Sequence, residues 1–275
     1  MKKFFSSMVI SFIFFTTLCF AGNMTPGQMA VKKFKAFFKN RGVNVKLILE
    51  KDIHIKDLEL KNFKFVIIEL SKGKRSQRLA FLTDGKYMIR GLEEIGKREN
   101  LISYYESLYT VAKVPFNKND FILGNKNSKI KIVYFGDFQC PFCRRCMAYI
   151  EAKYKDKVAV YYKHYPLPFH KNAILLAKIY EAGKIMGFDL HKFVETVNGD
   201  KKKIMEELKK KIPANKWDKF KKTMEEKSIM EKIKKGEALG RKFGVRGTPT
   251  IFINGHRIGG CNPQLIDQLI KRAEK

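Results

Sequence analysis

The sequence contains no apolar run long enough to cross a membrane. Its longest one, from about Met8 to Phe20, is shorter than the roughly 20 residues that a spanning helix needs. Two lysines precede the run and Ala21 closes it, an order typical of a cleavable secretory signal peptide. We therefore expect residues 1–21 to be a signal peptide that sends the chain to the periplasm, with an uncleaved anchor as the alternative.

Acidic residues are scarce: 27 aspartates and glutamates stand against 56 lysines and arginines, which gives a formal net charge of +29. Such an excess can indicate nucleic-acid binding. Here the lysines are dispersed and mixed with glutamate through residues 201–235, as on a solvated helical surface. An exported protein also rarely meets nucleic acid, so we expect no nucleic-acid partner.

Cysteine is also scarce, with five residues in the chain. Removal of the predicted signal peptide would remove one of them, Cys19. The four cysteines that remain are Cys140, Cys143, Cys146 and Cys261. A mature chain of about 250 residues can build hydrophobic cores without staples. In an oxidising compartment, disulfide chemistry is the default interpretation of such thiols. The cysteines are therefore candidates for chemistry more than for holding the fold together.

The first part of the chain predicts a small α+β domain. Helical spacing in PGQMAVKKFKAFFKNRG is followed by two strand-like runs, NFKFVIIEL and RLAFLTDGKYMIRG. Within the second run, Asp84-Gly85 is typical of a two-residue hairpin turn. We assign the domain to residues 22–95. A helical stretch near residues 92–111 and a loop after it then form a linker over 96–118.

The second part of the chain, residues 119–275, predicts an α/β domain with a mixed sheet. KIKIVYF and KVAVYYKHYPL are typical strands, and CPFCRRCMAYIEAKY between them is a typical helix. A helical insert occupies about residues 170–239. Two more strands, joined by Asn254-Gly255, and a closing helix complete the order β-α-β, insert, β-β-α.

Cys140 and Cys143 lie where a predicted strand gives way to a predicted helix. Unpaired N–H groups and the positive end of the helix dipole stabilise a thiolate there, and Arg144 and Arg145 can add to the field. Cys-X-X-Cys thiols in such settings titrate below the free value of about 8.5. Stabilising the thiolate favours the reduced form, which makes the disulfide more oxidising. We interpret the pair as redox-active, with Cys143 as the more buried thiol.

A zinc site is the alternative for these cysteines, with Cys146 and Cys261 completing four ligands. Zinc knuckles usually lie in tight turns, whereas this motif follows a strand and opens a helix. The context favours redox chemistry, and we expect no metal and no other cofactor.

Three segments resemble the DsbA-type thiol–disulfide oxidoreductases: GDFQCPFC, KHYPLPFH followed by a helical insert, and GVRGTPTIFING. The resemblance covers residues 119–275 and implies a thioredoxin-like catalytic domain. It also implies that Cys140 attacks, that Cys143 resolves, that Pro249 is a cis proline, and that Thr248 offers its backbone to an extended client. An ordinary trans Thr-Pro bond at a strand edge is the alternative.

The segment TDGKYMIRG, after a helix and paired strands, resembles the dimerisation module of the disulfide isomerases DsbC and DsbG. The resemblance implies a homodimer in which exposed strand edges pair across a twofold axis. Phe142 lies between the cysteines, where many DsbA-type oxidases have histidine. Phenylalanine cannot donate to the Cys140 sulfur, so we expect a higher thiol pKa and a less oxidising couple than in those enzymes.

The sequence therefore predicts an exported enzyme that forms or isomerises disulfides in secreted proteins. Its partners would be unfolded or misoxidised exported proteins and a membrane protein that sets its redox state. Two functions of another class stay open: a non-enzymatic chaperone of the holdase type, and a carrier that binds metal through thiolates.

Cys146 and Cys261 have three possible roles. If the helices that carry them pack on one sheet face, their Cα atoms can approach the roughly 5.5 Å that a disulfide prefers, which would make a structural bridge. They can also be two separate buried thiols, or a second exchange couple that passes electrons to Cys143.

Four further residues near the cysteines carry weaker predictions. Tyr134 occupies the position, six before Cys140, where thioredoxins bury an acid, so a carboxylate relay from that position is absent. Asp137 is expected to cap the turn that follows it. His164 and His170 are either packed side chains or proton shuttles.

Overall fold

The computed structural model describes residues 24–53, 60, 62–93 and 100–275, and the predicted signal peptide over residues 1–21 lies outside them. The chain divides into two compact units between Arg90 and Gly91. In the described part of the chain, no helix combines the length and the apolar character needed to cross a membrane.

The first unit is a helix packed on a four-stranded antiparallel sheet. The helix begins at Pro26 because Thr25 and Gln28 form a reciprocal capping box. Its apolar face meets Val66, Ile68 and Phe81, which are fully buried in the sheet. The elements, whose strands follow each other in the sheet in chain order, are α1 (Pro26–Phe37), β1 (Asn44–Asp52), β2 (Lys64–Lys72), β3 (Arg75–Thr83) and β4 (Met88–Ile89).

The predicted two-residue turn at Asp84-Gly85 is wrong. Thr83 pairs with Met88, so four residues separate β3 from β4. The Asp84 carboxylate accepts the backbone N–H groups of the two residues after Gly85, at 2.8 and 2.7 Å, and these bonds hold a wider loop. The tight two-residue reversal lies instead between β2 and β3.

The second unit contains a five-stranded mixed sheet in the order β5-β7-β6-β8-β9. β6 and β7 are parallel, as a β-α-β crossover requires, and the other pairs are antiparallel. Its elements are α2 (Leu101–Tyr109), β5 (Phe121–Gly124), β6 (Ile130–Gly136), α3 (Pro141–Tyr154), β7 (Val158–His164), α4 (Ala173–Met186), α5 (His191–Thr196), α6 (Lys201–Lys209), α7 (Trp217–Met224), α8 (Lys227–Lys242), β8 (Thr250–Ile253), β9 (His256–Gly259) and α9 (Pro263–Ala273).

Two segments near the predicted domain boundary compare differently with the sequence predictions. β5 lies within residues 119–275, where no strand before KIKIVYF was predicted, and it pairs with β7 at the sheet edge. The helix predicted near residues 92–111 corresponds to α2, and residues 94–99 lie outside the described part. α2 belongs to the second unit, where the Ser107 hydroxyl donates to the carbonyl of Arg257 in β9 at 2.5 Å.

The helical insert is fixed to the sheet by a close backbone contact. A Cβ atom at Gly236 in α8 would lie 2.5 Å from the carbonyl oxygen of His164 at the end of β7. Only glycine allows this approach, so α8 rests directly on the strand.

Candidate active site

Cys140 is the N-cap residue of α3, directly before Pro141. Its N–H donates to the carbonyl of Asp137 at 3.0 Å, and its own carbonyl accepts from Arg144 N at 3.1 Å. Pro141 occupies the first helical turn, where its missing N–H leaves no donor unpaired. The Cys140 sulfur lies at the positive end of the helix, where the backbone N–H groups of Phe142 and Cys143 stabilise its thiolate.

The first cysteine pair is strongly asymmetric in acidity. A hydrogen bond from the Cys143 thiol lowers the pKa of Cys140 to about 5, although partial desolvation opposes the shift, and the backbone N–H groups of Cys143 and Phe142 lower it further. Burial raises the pKa of Cys143, and its hydrogen bond to Cys140 raises it again. At neutral pH the pair therefore consists of a Cys140 thiolate and a protonated Cys143.

A cis peptide bond joins Thr248 to Pro249, as the resemblance implies. β8, which begins at Thr250, pairs with β6 through Phe135, so the cis bond faces the start of α3. The Cys140 thiol lies 3.5 Å from the carbonyl oxygen of Thr248. Cys140 itself is only 3% exposed, less than expected for an attacking thiol, because the Thr248-Pro249 loop lies against it.

Asp137 organises the loops around the cysteines. One carboxylate oxygen accepts from the Gln139 N–H at 2.8 Å, which confirms the predicted cap. The other accepts from the Leu167 N–H at 2.9 Å and contacts His170 Nδ1 at 2.7 Å. The carboxylate side chain is fully buried, so these bonds join the segment after β7 to the loop that presents Cys140.

Arg144 and Arg145 are neighbours in sequence but have different surroundings. Arg144 donates to the carbonyls of Phe138, Val194 and Val197 at 2.6, 3.3 and 2.8 Å, which joins α3 to the end of α5. Arg145 is exposed on the other side of the helix, with its guanidinium 4.7 Å from the centre of the Phe142 ring. Arg144 therefore holds the scaffold, and Arg145 lies on the surface.

His164 takes part in a buried charge cluster that sequence reasoning missed. Its Nε2 lies 2.8 Å from the Glu181 carboxylate, and Lys232 contacts the other carboxylate oxygen at 2.7 Å. Desolvation opposes ionisation of Glu181, but the bonds and charges of these two partners lower its pKa to about 2. Glu181 lies in the mostly apolar helix sequence AILLAKIYEAGKIM. A single acidic residue in such a helix was the signal that could have indicated a buried, paired carboxylate.

The second cysteine pair lies next to the first. All four described cysteines are free thiols, and Cys146 and Cys261 are hydrogen-bonded to each other. Tyr134, at the position six before Cys140, donates from its hydroxyl to the carbonyl of Cys143 at 2.9 Å and also contacts the Cys146 sulfur. Within the described residues, no group of three or more histidine, cysteine or acidic side chains is placed to hold a metal ion.

Large apolar side chains are exposed near the cysteines. Phe142 between them is 58% exposed, and Phe169 in the segment after β7 is 72% exposed. Phe169 precedes His170, which Asp137 binds, so its segment is held against the Cys140 loop. Exposed aromatic rings at this position can contact an unfolded polypeptide.

The second unit is similar to known proteins. The family described as Thioredoxin matches residues 117–272. A probable disulfide bond formation protein D of Bacillus anthracis is 28% identical over 177 residues, 56% of this chain and 76% of that protein. The disulfide bond formation protein D of Bacillus subtilis is 22% identical over 159 residues, 52% of this chain and 72% of that protein.

Among solved structures, the thiol-disulfide exchange protein alpha-DsbA2 from Wolbachia pipientis is similar in fold. It is 21% identical, the match covers 62% of this chain and 96% of that one, and the TM-score is 0.51. The fold class predicted for the second unit, a thioredoxin-like α/β fold with a helical insertion, is confirmed.

The fold and the paired cysteines define a thiol–disulfide oxidoreductase. The chain belongs to the thioredoxin family, whose match covers more than half of its length.

Proposed function

We propose that the protein is an exported enzyme that forms and isomerises disulfides in unfolded or misoxidised secreted proteins through Cys140 and Cys143. The observation that carries this proposal is the position of Cys140 directly before the first turn of α3, 3.5 Å from the Thr248 carbonyl at the cis Thr248-Pro249 bond. The pKa of Cys140, lowered to about 5, agrees with this position. A thiolate at neutral pH is the form that exchanges with disulfides.

In isomerisation, the Cys140 thiolate attacks a wrong client disulfide and forms a mixed disulfide, and one client sulfur leaves as a thiolate. That thiolate, or another client thiol, then attacks the client sulfur bound to Cys140. The client leaves with a new disulfide, and Cys140 leaves as a thiolate. No net electrons are transferred in this cycle, so the cysteine pair must be kept reduced.

In net oxidation the enzyme begins with a Cys140–Cys143 disulfide. A client thiolate attacks Cys140, and Cys143 leaves and takes up a proton. A second client thiolate then attacks the client sulfur of the mixed disulfide, so the client gains a disulfide and the enzyme keeps two thiols. A membrane redox partner must then remove two electrons from the pair.

Client binding is proposed to involve Thr248 and Pro249. The Thr248 carbonyl lies 3.5 Å from the Cys140 sulfur, so an extended client segment that pairs with this backbone would have its own sulfur next to Cys140. Phe142 and Phe169, both exposed, supply apolar contacts for the rest of the segment.

The first unit is proposed to be a dimerisation module, although its specific likeness to DsbC and DsbG rests on sequence alone. Among the described residues, β4 covers only the last two residues of β3 and no other strand pairs with that side of β3. A second copy can add a strand to this edge. The residues that close the β2–β3 hairpin, Lys72 and Arg75, form a hydrogen-bonded pair. Because N–H groups alternate in direction along a strand, the N–H of Arg78 points away from β2, to the open edge.

Arg78→Pro removes that donor and should shift sedimentation from dimer to monomer. A monomeric wild type would contradict the proposal.

The activity is tested by refolding scrambled and reduced ribonuclease with purified protein. Cys140→Ser should abolish both activities, because oxygen cannot form the mixed disulfide. Ala148→Ser, an exposed position on the same helix, is the matched control and should keep them. A Cys140→Ser protein that is as active as the wild type would contradict the proposal. If instead the wild type is inactive in refolding and the Cys140→Ser protein still suppresses client aggregation, the holdase function replaces it.

Thiol trapping in intact cells separates the two directions of the reaction. A Cys140–Cys143 pair found mostly oxidised indicates net disulfide formation, and a pair found mostly reduced indicates isomerisation. Phe142 in place of a sulfur donor removes stabilisation of the reduced thiolate, so at a given redox potential of the surroundings it favours the disulfide more than histidine would.

A further inference from the structure

Cys146 and Cys261 have no part in the exchange reaction described above, yet their arrangement repeats that of the first pair. Cys146 is buried with 0% of its surface exposed. Cys261 is partly exposed in the turn before α9. The thiols are hydrogen-bonded to each other and are not joined by a disulfide. Cys146 belongs to the apolar core cluster against which Cys261 packs, so a disulfide between them would join groups that the fold already brings together.

The acidity of the second pair is also asymmetric. The hydrogen bond from Cys146 lowers the pKa of Cys261; desolvation opposes the shift, and the positive charge of Arg145 adds to it. The hydrogen bond to Cys261 and burial both raise the pKa of Cys146. An accessible, acidic thiol in front of a buried, protonated thiol is suited to exchange, whereas inert packed cysteines lack an electropositive, accessible member.

The second pair shares its supports with the first pair. Gly260, directly before Cys261, donates its N–H to the carbonyl of Pro249 at 2.8 Å. Cys146 lies one turn after Cys143 on the buried face of α3. The second pair is thus held by the same helix and the same cis-proline loop that hold the active cysteines.

We propose that Cys146 and Cys261 form a second reversible dithiol–disulfide couple, in which Cys261 exchanges with thiols and disulfides in solution and Cys146 resolves the mixed disulfide. In the oxidising direction, the Cys261 thiolate attacks a disulfide of a client or of glutathione and releases one of its sulfurs as a thiolate, which takes a proton from water. Cys146 then attacks Cys261 and gives its proton to the second departing sulfur. Two electrons and the Cys146 proton leave the protein, which gains the Cys146–Cys261 disulfide, and the external disulfide becomes two thiols.

The test uses the full chain with Cys140→Ala and Cys143→Ala, so that the second pair alone remains and the outcome does not depend on the proposed function. The protein is equilibrated in glutathione buffers of graded ratio, quenched with acid, alkylated and analysed by mass spectrometry. We expect the pair to pass reversibly from dithiol to disulfide as the glutathione disulfide fraction rises. Thiols that stay free at every ratio, or a bridge that dithiothreitol cannot reduce in the folded protein, would overturn the proposal.

The roles of the two sulfurs are tested in the same background with one more substitution. With Cys146→Ser, Cys261 should form a stable mixed disulfide with glutathione at least ten times faster than Cys146 does with Cys261→Ser. Equal rates would overturn the assignment of Cys261 as the entry sulfur. Peptide mapping of the wild-type chain in the same buffers gives the same readout without relying on the folding of any variant.

Discussion

The Cys143 thiol, rather than the helix terminus alone, keeps Cys140 ionised, and the Cys143→Ala variant tests this directly. The hydrogen bond from Cys143 is the largest contribution to the lowered pKa of Cys140. A hydrogen bond to a charged group contributes about 1.5–3 kcal/mol, and one pKa unit corresponds to about 1.4 kcal/mol. Its loss should therefore raise the pKa of Cys140 from about 5 by about one to two units.

Cys143→Ser is the matched variant, because a hydroxyl keeps a donor at the same position. In this protein the pKa of Cys140 should stay close to about 5. Both variants are made in residues 22–275 with Cys146→Ala and Cys261→Ala, so that Cys140 is the single reporting thiol. The pKa is read from the pH dependence of thiolate absorbance and of the rate of alkylation by iodoacetamide.

Two results would refute the reasoning. An unchanged pKa in the alanine variant would mean that the helix terminus and the backbone N–H groups of residues 142 and 143 suffice. An equal rise in the alanine and serine variants would mean that the sulfur of Cys143, and not its donor, is responsible.

The other predictions concern pH, the thiol environment and two structural contacts. Because the pKa of Cys140 is lowered in the folded protein from 9.0 to about 5, the thiolate stabilises the reduced fold fully above pH 9, progressively less as the pH falls, and not below about pH 5; denaturant unfolding of reduced against oxidised protein measures this, and a reduced form that gains stability on acidification would contradict it. Phe142→His should lower the pKa of Cys140 and make the disulfide more oxidising in a glutathione titration, whereas an unchanged potential would show that the residue between the cysteines has no influence here. Arg144→Met should lower the free energy of unfolding by about 2–4 kcal/mol because buried carbonyls lose their donor, while Arg145→Met should change it by less than about 0.5 kcal/mol; equal losses would disprove the assigned roles. Gly236→Ala should cost about 1–3 kcal/mol through its clash with the His164 carbonyl, and Gly259→Ala, with no atom near its added Cβ, serves as the control that should unfold like the wild type.

Local signals in the sequence were sufficient for most of the second unit. The β-branched run before the cysteines is β6, and Pro141 marks the start of α3. Asn254-Gly255 forms the predicted two-residue turn, with both residues at positive φ (46° and 90°) and Ile253 paired with His256. These features depend on neighbours in sequence, so patterns could reveal them.

Features that depend on distant partners were not predictable in this way. β5 is short and ends in glycine, and it is a strand because β7 offers it a free edge. The sequence Asp84-Gly85 is typical of a tight turn, but the Asp84 carboxylate accepts hydrogen bonds from two backbone N–H groups, which hold a wider loop. In each case a contact outside the local pattern decides the conformation.

The same limit applies to the candidate site. The spacing of Cys140 and Cys143 and their strand–helix context pointed to redox chemistry. The functions of Arg144 and Arg145 could not be separated from sequence, because consecutive helical residues point about 100° apart and their surroundings decide what each one does. Asp137 similarly contacts Leu167 and His170, which lie some thirty positions away in sequence. No local sequence pattern predicts these contacts.

The contact at Gly236 determines where the helical insert can change during evolution or redesign. Since α8 meets the backbone of β7 without an intervening side chain, any larger residue at position 236 would separate the helix from the end of that strand. α6 carries Lys201, Lys202 and Lys203 on exposed surface and has no comparable constraint. Substitutions can therefore accumulate on the exposed surface of α6, whereas position 236 of α8 must remain glycine.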